Sequence, residues 1–190
     1  SMAVNLLNNR FEIEAYIILL ATWNIGTFRF ALKNFEINGF KEKIKKVSPY
    51  FNKMEGERFQ TINFDEYKED IKKIFKTLSQ IGVVKYTGAS KLMHLKNRDV
   101  FIMWDDYIRG GKAQKYYDKL RIVKNGFWKF KRYEKDAESY FQFLKDMQDR
   151  FKNINFSHPK KTFAKAIDEF NYVNITLHIQ SMENEKKRRK

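Results

Sequence analysis

The sequence predicts an all-α, compact multi-helix domain on three observations. Apolar residues recur at three- and four-residue steps over long stretches, strict alternation is confined to short pieces, and only 8 glycines and 2 prolines punctuate the 190 residues. The hydrophobic content of 43% and aromatic content of 16% exclude intrinsic disorder, because such a chain can bury enough apolar area to offset its entropy. With no internal repeat and no Gly/Ser or Pro-rich linker, the expected organisation is one helical domain over 1–183 and a disordered basic tail over 184–190.

The elements follow in order. A first helix, about Arg10 to Trp23, is apolar on nearly every side over its second half, which places it in the middle of a bundle. Its run from Ala15 to Trp23 falls short of the ~20 residues that a membrane span requires. Phe64, Tyr67, Ile71, Ile74, Phe75, Leu78 and Ile81 form the next stripe, with Asp65 placed to cap its start and Gly82 to end it. After a short turn, Thr87 can cap a new helix carrying Lys91, Leu92, His94 and Leu95. A polar break, Lys96 to Asp99, leads into the apolar run Val100 to Trp104, which ends on Asp105 and Asp106 at the start of a helical turn. There a carboxylate meets unpaired N–H groups. Asn125 to Lys131, like Asp99 to Met103, alternates too briefly to make a sheet. Ala137, Tyr140, Phe141, Leu144, Met147, Phe151 and Ile154 line a further helix. The last, about Lys160 to Phe170, is entered through Pro159 and faces Phe163, Ala166, Ile167 and Phe170 inward. The amides from Phe170 to Asn174 offer either base contacts or a cap for its end, and the cap is expected.

Charge points to partners. Lys and Arg number 38 against 23 Asp and Glu, a formal +15. The stretch Glu185 to Arg189, with Lys190, is basic, yet most of the excess lies in the body. Cations interleave with aromatics in Trp128 to Tyr133, which includes Lys129, Lys131 and Arg132, and again in Tyr107, Arg109, Lys112, Lys115, Tyr116 and Tyr117. Single-strand binders combine these residue types because cations neutralise phosphate while rings stack on bases. The alternative is an amphipathic edge with aromatics buried and cations solvated, and an AT-rich genome would itself enrich Lys, Asn, Phe and Ile. The absence of Cys excludes disulfides, thiolate zinc sites and Cys nucleophiles, and fits an intracellular protein. His158 and His178 have no partners at ligand spacing, so no metal is expected. No phosphate loop, nucleophile elbow or HExxH helix occurs, and no cofactor is expected.

The order from Gly82 to Arg109 is helix, glycine-containing turn, helix with Lys, apolar approach to an Asp, then Arg. It resembles the helix-hairpin-helix DNA glycosylase superfamily, including its 8-oxoguanine-type members. The resemblance implies that Gly88 and Ser90 lie in a hairpin holding DNA phosphate, that Lys91 is the nucleophile attacking the sugar, and that Asp105 is the carboxylate assisting base departure. It also implies a double-stranded DNA partner bearing a lesion. Gly88 stands without a second glycine close by, and the interval from Lys91 to Asp105 is shorter than in the better-known members.

The chemistry asks for these residue types on its own terms. Cleaving an N-glycosidic bond develops positive character on deoxyribose, which a carboxylate in a water-poor site stabilises. A Lys amine becomes nucleophilic when burial lowers its pKa, and attack on the sugar leads to a Schiff base. An extruded base needs rings to stack on, and Trp23, Phe28 and Trp104 are available. His94, three residues beyond Lys91, can relay protons or contact phosphate, or be a core histidine. Asp106 is a second acid at the same place. The expected function is therefore removal of a damaged base, with AP-lyase activity if Lys91 acts. The alternatives are a non-catalytic module for RNA or single-stranded DNA around Arg109 to Tyr133, and a protein-interaction bundle.

Overall fold

Every regular element is helical among the residues described by the computed structural model, which are 2–23, 28–29, 32–129 and 131–188. In chain order these are α1 (Met2–Asn8), α2 (Glu12–Trp23), α3 (Ile37–Asn52), α4 (Lys68–Ser79), α5 (Lys85–Lys96), α6 (Arg121–Lys124), α7 (Ala137–Phe151), α8 (Phe163–Asn171) and α9 (His178–Arg188). Short 3-10 turns lie at Leu32–Asn34 and Gln114–Lys119, and a π-helical segment, Tyr172–Leu177, joins α8 to α9. The alternating pieces at 99–103 and 125–129 form no strand.

Helix α4 is the hub, packing against α3, α5 and α7. Its buried stripe is Ile71, Ile74, Phe75 and Leu78. Asp65 does not cap it: the helix starts later, behind Tyr67, and Asp65 pairs with Lys145 at 2.7 Å. Helix α7 buries Tyr140, Phe141, Phe143, Leu144, Met147 and Phe151, and its start is capped by Asp136, whose carboxylate accepts the Ser139 N–H at 2.7 Å. Helix α8 is capped by Thr162 through the Lys165 N–H, with Pro159 in the preceding turn. Helix α3 was not foreseen, because Gly39 and Pro49 interrupt its sequence. Phe40, Ile44, Val47 and Phe51 nevertheless recur at helical spacing and are buried.

Two expectations change. Helix α2 is a flank rather than the centre: it packs on α1 and α5 and buries Ala15, Tyr16, Leu19 and Leu20, while Ile13, Ile17, Ile18 and Ala21 are only partly buried. The helix enclosed on most sides is α5, with Gly88, Ala89, Ser90, Leu92, Met93, His94 and Leu95 all buried. Its small residues let neighbours approach, and its polar ones find partners, so it shows no hydrophobic stripe. At the other end of the chain, Phe170 to Asn174 do not cap a terminus, since the chain continues through the π segment into α9. The expected tail is helical through Arg188, and Arg189 and Lys190 lie outside the described residues.

Candidate functional site

The site is built by a chain reversal after α5. Asn97 turns the chain, and the extended run 101–105 returns along the helix, tethered about once per helical turn. His94 Nδ1 lies 2.7 Å from the Phe101 carbonyl, the Trp104 N–H donates to Ser90 Oγ at 3.2 Å, and the Trp104 indole donates to the Tyr86 carbonyl at 3.3 Å. Asp105 and Lys91, each one residue beyond this fastening, come near enough for their charges to interact. Both line one cleft of about 480 Å³, together with Trp23, Lys165, Asp168 and Tyr172.

Asp105 caps the turn it opens. One carboxylate oxygen accepts the Tyr107 and Ile108 N–H groups, both at 2.8 Å, and the other accepts the Thr176 hydroxyl at 2.8 Å. The carboxylate is thus oriented by donors on two elements, the cap turn and the π segment. Lys91 is half-buried, and its ammonium donates to the carbonyl of Trp23, the last described residue of α2. Burial lowers the Lys91 pKa, while the Asp105 charge pulls it back up. A partly desolvated amine and a fixed carboxylate therefore share the cleft.

At its floor lies a third acid that the sequence reading passed over. Asp168 is buried, with one oxygen accepting the Met103 N–H at 2.6 Å. Its other oxygen sits 3.2 Å from His94 Nδ1, but that nitrogen is engaged with Phe101, so this oxygen has no hydrogen-bond partner. Burial lifts the Asp168 carboxyl well above its usual value, against the opposing Lys165 charge and Met103 hydrogen bond. Burial drops His94 to about 4, despite the Phe101 bond. Burial thus favours the neutral form of both members, as expected where both charges would be desolvated. Lys165, Tyr172 and Thr176 were also missed. A legible signal existed: Ala164, Asp168, Asn171 and Ile175 share a buried face, and two polar residues in a buried register mark a site or a network.

The remaining expected site residues divide sharply. Trp23, 46% exposed, stands at the cleft with the Lys165 ammonium 5.4 Å from its ring. Trp104 also lines the cleft, but it is almost wholly buried, with its ring packed 5.6 Å from Phe75 and 5.1 Å from Tyr140. Phe28 is buried against Phe35 and is not part of the cleft lining. Gly88 and Ser90 do not form a hairpin turn: both are buried inside α5, the turn itself being 80–84, and Ser90 is spent on Thr87 and Trp104. Thr87 likewise lies within α5 rather than capping it. His94 is a buried histidine whose Nδ1 is engaged by the Phe101 carbonyl, and it lines a neighbouring groove rather than this cleft.

Arg109 is 5% exposed and structural. It pairs with Asp106 at 2.8 Å and donates to the Tyr133 carbonyl at 2.9 Å, so it faces no phosphate. Asp106 also accepts from Tyr86 at 3.2 Å. Burial raises its pKa, but Arg109 and Lys135 outweigh that and hold the carboxyl below its ordinary range. Lys112, Lys129, Lys131 and Arg132 are exposed; Lys131 pairs with Asp146 and Arg132 with Glu134. The aromatics between these cations point inward: Trp128, Tyr116, Tyr117 and Tyr133 are buried, and Arg150 stacks on Trp128 at 3.9 Å. Phe130 lies outside the described residues. No group of three His, Asp or Glu is placed to hold a metal ion among the described residues, and no described helix is long and apolar enough to cross a membrane. Comparison with protein-family models, with curated proteins and with solved structures finds no match, so the cleft is read from its own chemistry.

Proposed function

We propose that the chain is a DNA glycosylase of the base-excision type, with lyase activity, acting on an extruded damaged base in the Lys91–Asp105 cleft. The observation that carries the reading is that these two residues, fourteen apart in sequence, line one cleft with an exposed Trp23 at its edge. Neutral Lys91 Nζ attacks C1′ of the deoxyribose as the bond from C1′ to the base nitrogen breaks. The ammonium proton passes to the departing base, and the sugar ring opens to a Schiff base. Asp105, oriented by its three hydrogen bonds, stabilises the positive character that develops on the sugar. Trp23 and Tyr172 provide aromatic surface for the extruded base, and the protonated Asp168 carboxyl offers it a hydrogen-bonding edge.

The test is incubation with duplexes bearing 8-oxoguanine, uracil, hypoxanthine or alkylated purines, followed by alkaline cleavage and by borohydride trapping. The expected result is a trapped covalent complex on at least one lesion, lost in Lys91→Ala while DNA binding persists. Full excision and trapping by Lys91→Ala would refute the nucleophile assignment. The exposed cations Lys112 and Lys129 favour a second reading, a non-catalytic nucleic-acid-binding module. Salt-dependent binding with no product on any lesion would select it.

A further inference from the structure

Beside the cleft runs a second groove of about 600 Å³ whose charge is one-sided. Lys91, Arg98, Lys160, Lys161 and Lys165 line it against a single acid, Glu169. That acid is already neutralised by Lys161 at 2.5 Å. Arg98 and Lys160 make no ion pair among the described residues, Lys165 rests over the Trp23 ring, and Lys91 is held by a carbonyl. Cations gathered without counter-charges repel one another, a cost that an anion bound among them would remove.

The backbone that carries the cluster is held in place. The Thr162 hydroxyl donates to the Arg98 carbonyl at 2.6 Å and accepts the Lys165 N–H, fastening the loop after α5 to the start of α8. His158, which also lines the groove, accepts the Lys160 N–H at 3.1 Å. The field reaches neighbouring groups. After burial, the charges of Lys165 and Arg98 add to the depression of His94, and Lys161, Lys165 and His158 hold the Glu169 carboxyl low.

We infer that this groove is a phosphate-binding subsite, formed chiefly by Arg98, Lys160 and Lys165. It shares Trp23, Lys91, Lys165 and Glu169 with the cleft, so one ligand can reach both. A nucleotide unit whose base occupies the cleft would set its phosphate in the groove. This placement of a backbone phosphate rests on the proposed function, but the phosphate chemistry does not.

The experiment is a titration of isotopically labelled protein with inorganic phosphate at constant ionic strength, read by backbone amide shifts, with chloride as control. A short thymidine oligonucleotide is then added as competitor. The amides of Arg98, Lys161, Thr162 and Lys165 should shift with phosphate and not with chloride, and the exposed pair Arg98→Ala/Lys160→Ala should weaken phosphate binding by about tenfold. Displacement by the oligonucleotide assigns the subsite to a nucleic-acid backbone. Retention of phosphate in its presence overturns that source and assigns a free phosphate-bearing small molecule. An equal response to chloride, or unchanged phosphate affinity in the double variant, overturns the subsite itself. Phosphate binding that survives a failure of every lesion substrate would separate this inference from the glycosylase reading.

Discussion

Burial favours the neutral forms of both Asp168 and His94, and Asp168→Asn tests that arrangement. His94 falls from its usual 6.5 to about 4 through burial, so it contributes stability that is present above pH 6.5 and lost as pH falls toward 4. Asp168 moves the opposite way from its usual 3.8, again through burial. Its contribution is present below 3.8 and lost as pH rises toward its raised value. Between these limits the unfolded chain carries its one titrating proton on the histidine, as imidazolium, and the folded chain carries it on the aspartate, as a carboxylic acid beside a neutral imidazole. The two slopes cancel. Asn in place of Asp168 keeps the shape and the acceptor for Met103 N–H but removes one slope. The stability of the variant relative to wild type should then rise with pH by about 1.4 kcal/mol per unit, or roughly 3 kcal/mol across the window. Urea denaturation at successive pH values measures it, since other titrating groups drop out of the difference. Wild-type His94 should also show one protonated ring nitrogen at pH 6, the Nδ1 that donates to Phe101. A flat difference profile, or two protonated ring nitrogens, refutes the neutral pair.

Other perturbations test the scaffold around the cleft. A Cβ at Gly111 would lie 2.6 Å from the Arg109 Cζ, so Gly111→Ala should lower stability by about 1–3 kcal/mol, and by much less in an Arg109→Ala background. Equal costs in both backgrounds, measured by denaturant unfolding, would show that Arg109 is not what the methyl group meets. Asp136→Ala removes the α7 cap and should cost about 1 kcal/mol, read as a lowered melting temperature, with Asp136→Ser restoring most of it. Thr176→Val deletes the hydroxyl that orients Asp105; on the lesion substrate that the chain accepts, it should reduce kcat while leaving KM nearly unchanged. A loss confined to KM would place Thr176 in binding instead.

Much of the local structure was legible because it depends on neighbours in sequence. The stripes of α4, α7 and α8 recur at the helical period, and an acid at the end of the apolar run before residue 105 could be read as a cap. Helix α3 was obscured by Gly39 and Pro49, and α5 by polar residues that its surroundings satisfy. The interleaved aromatics and cations were legible in composition but not in direction. Burial turned the rings of Trp128 and Tyr133 inward, and Arg109 into a structural tie.

Sequence alone determined the helical class, the basic excess and the presence of an amine and a carboxylate fourteen residues apart. Their meeting was decided by tertiary structure, through the hydrogen bonds between Ser90 and Trp104 that fold the extended run back along α5. The same holds for Asp168 and the Arg98 groove, whose parts come from separate segments. A side chain's charge state and reach depend on what surrounds it in space, and one-dimensional spacing carries that information only within a few residues.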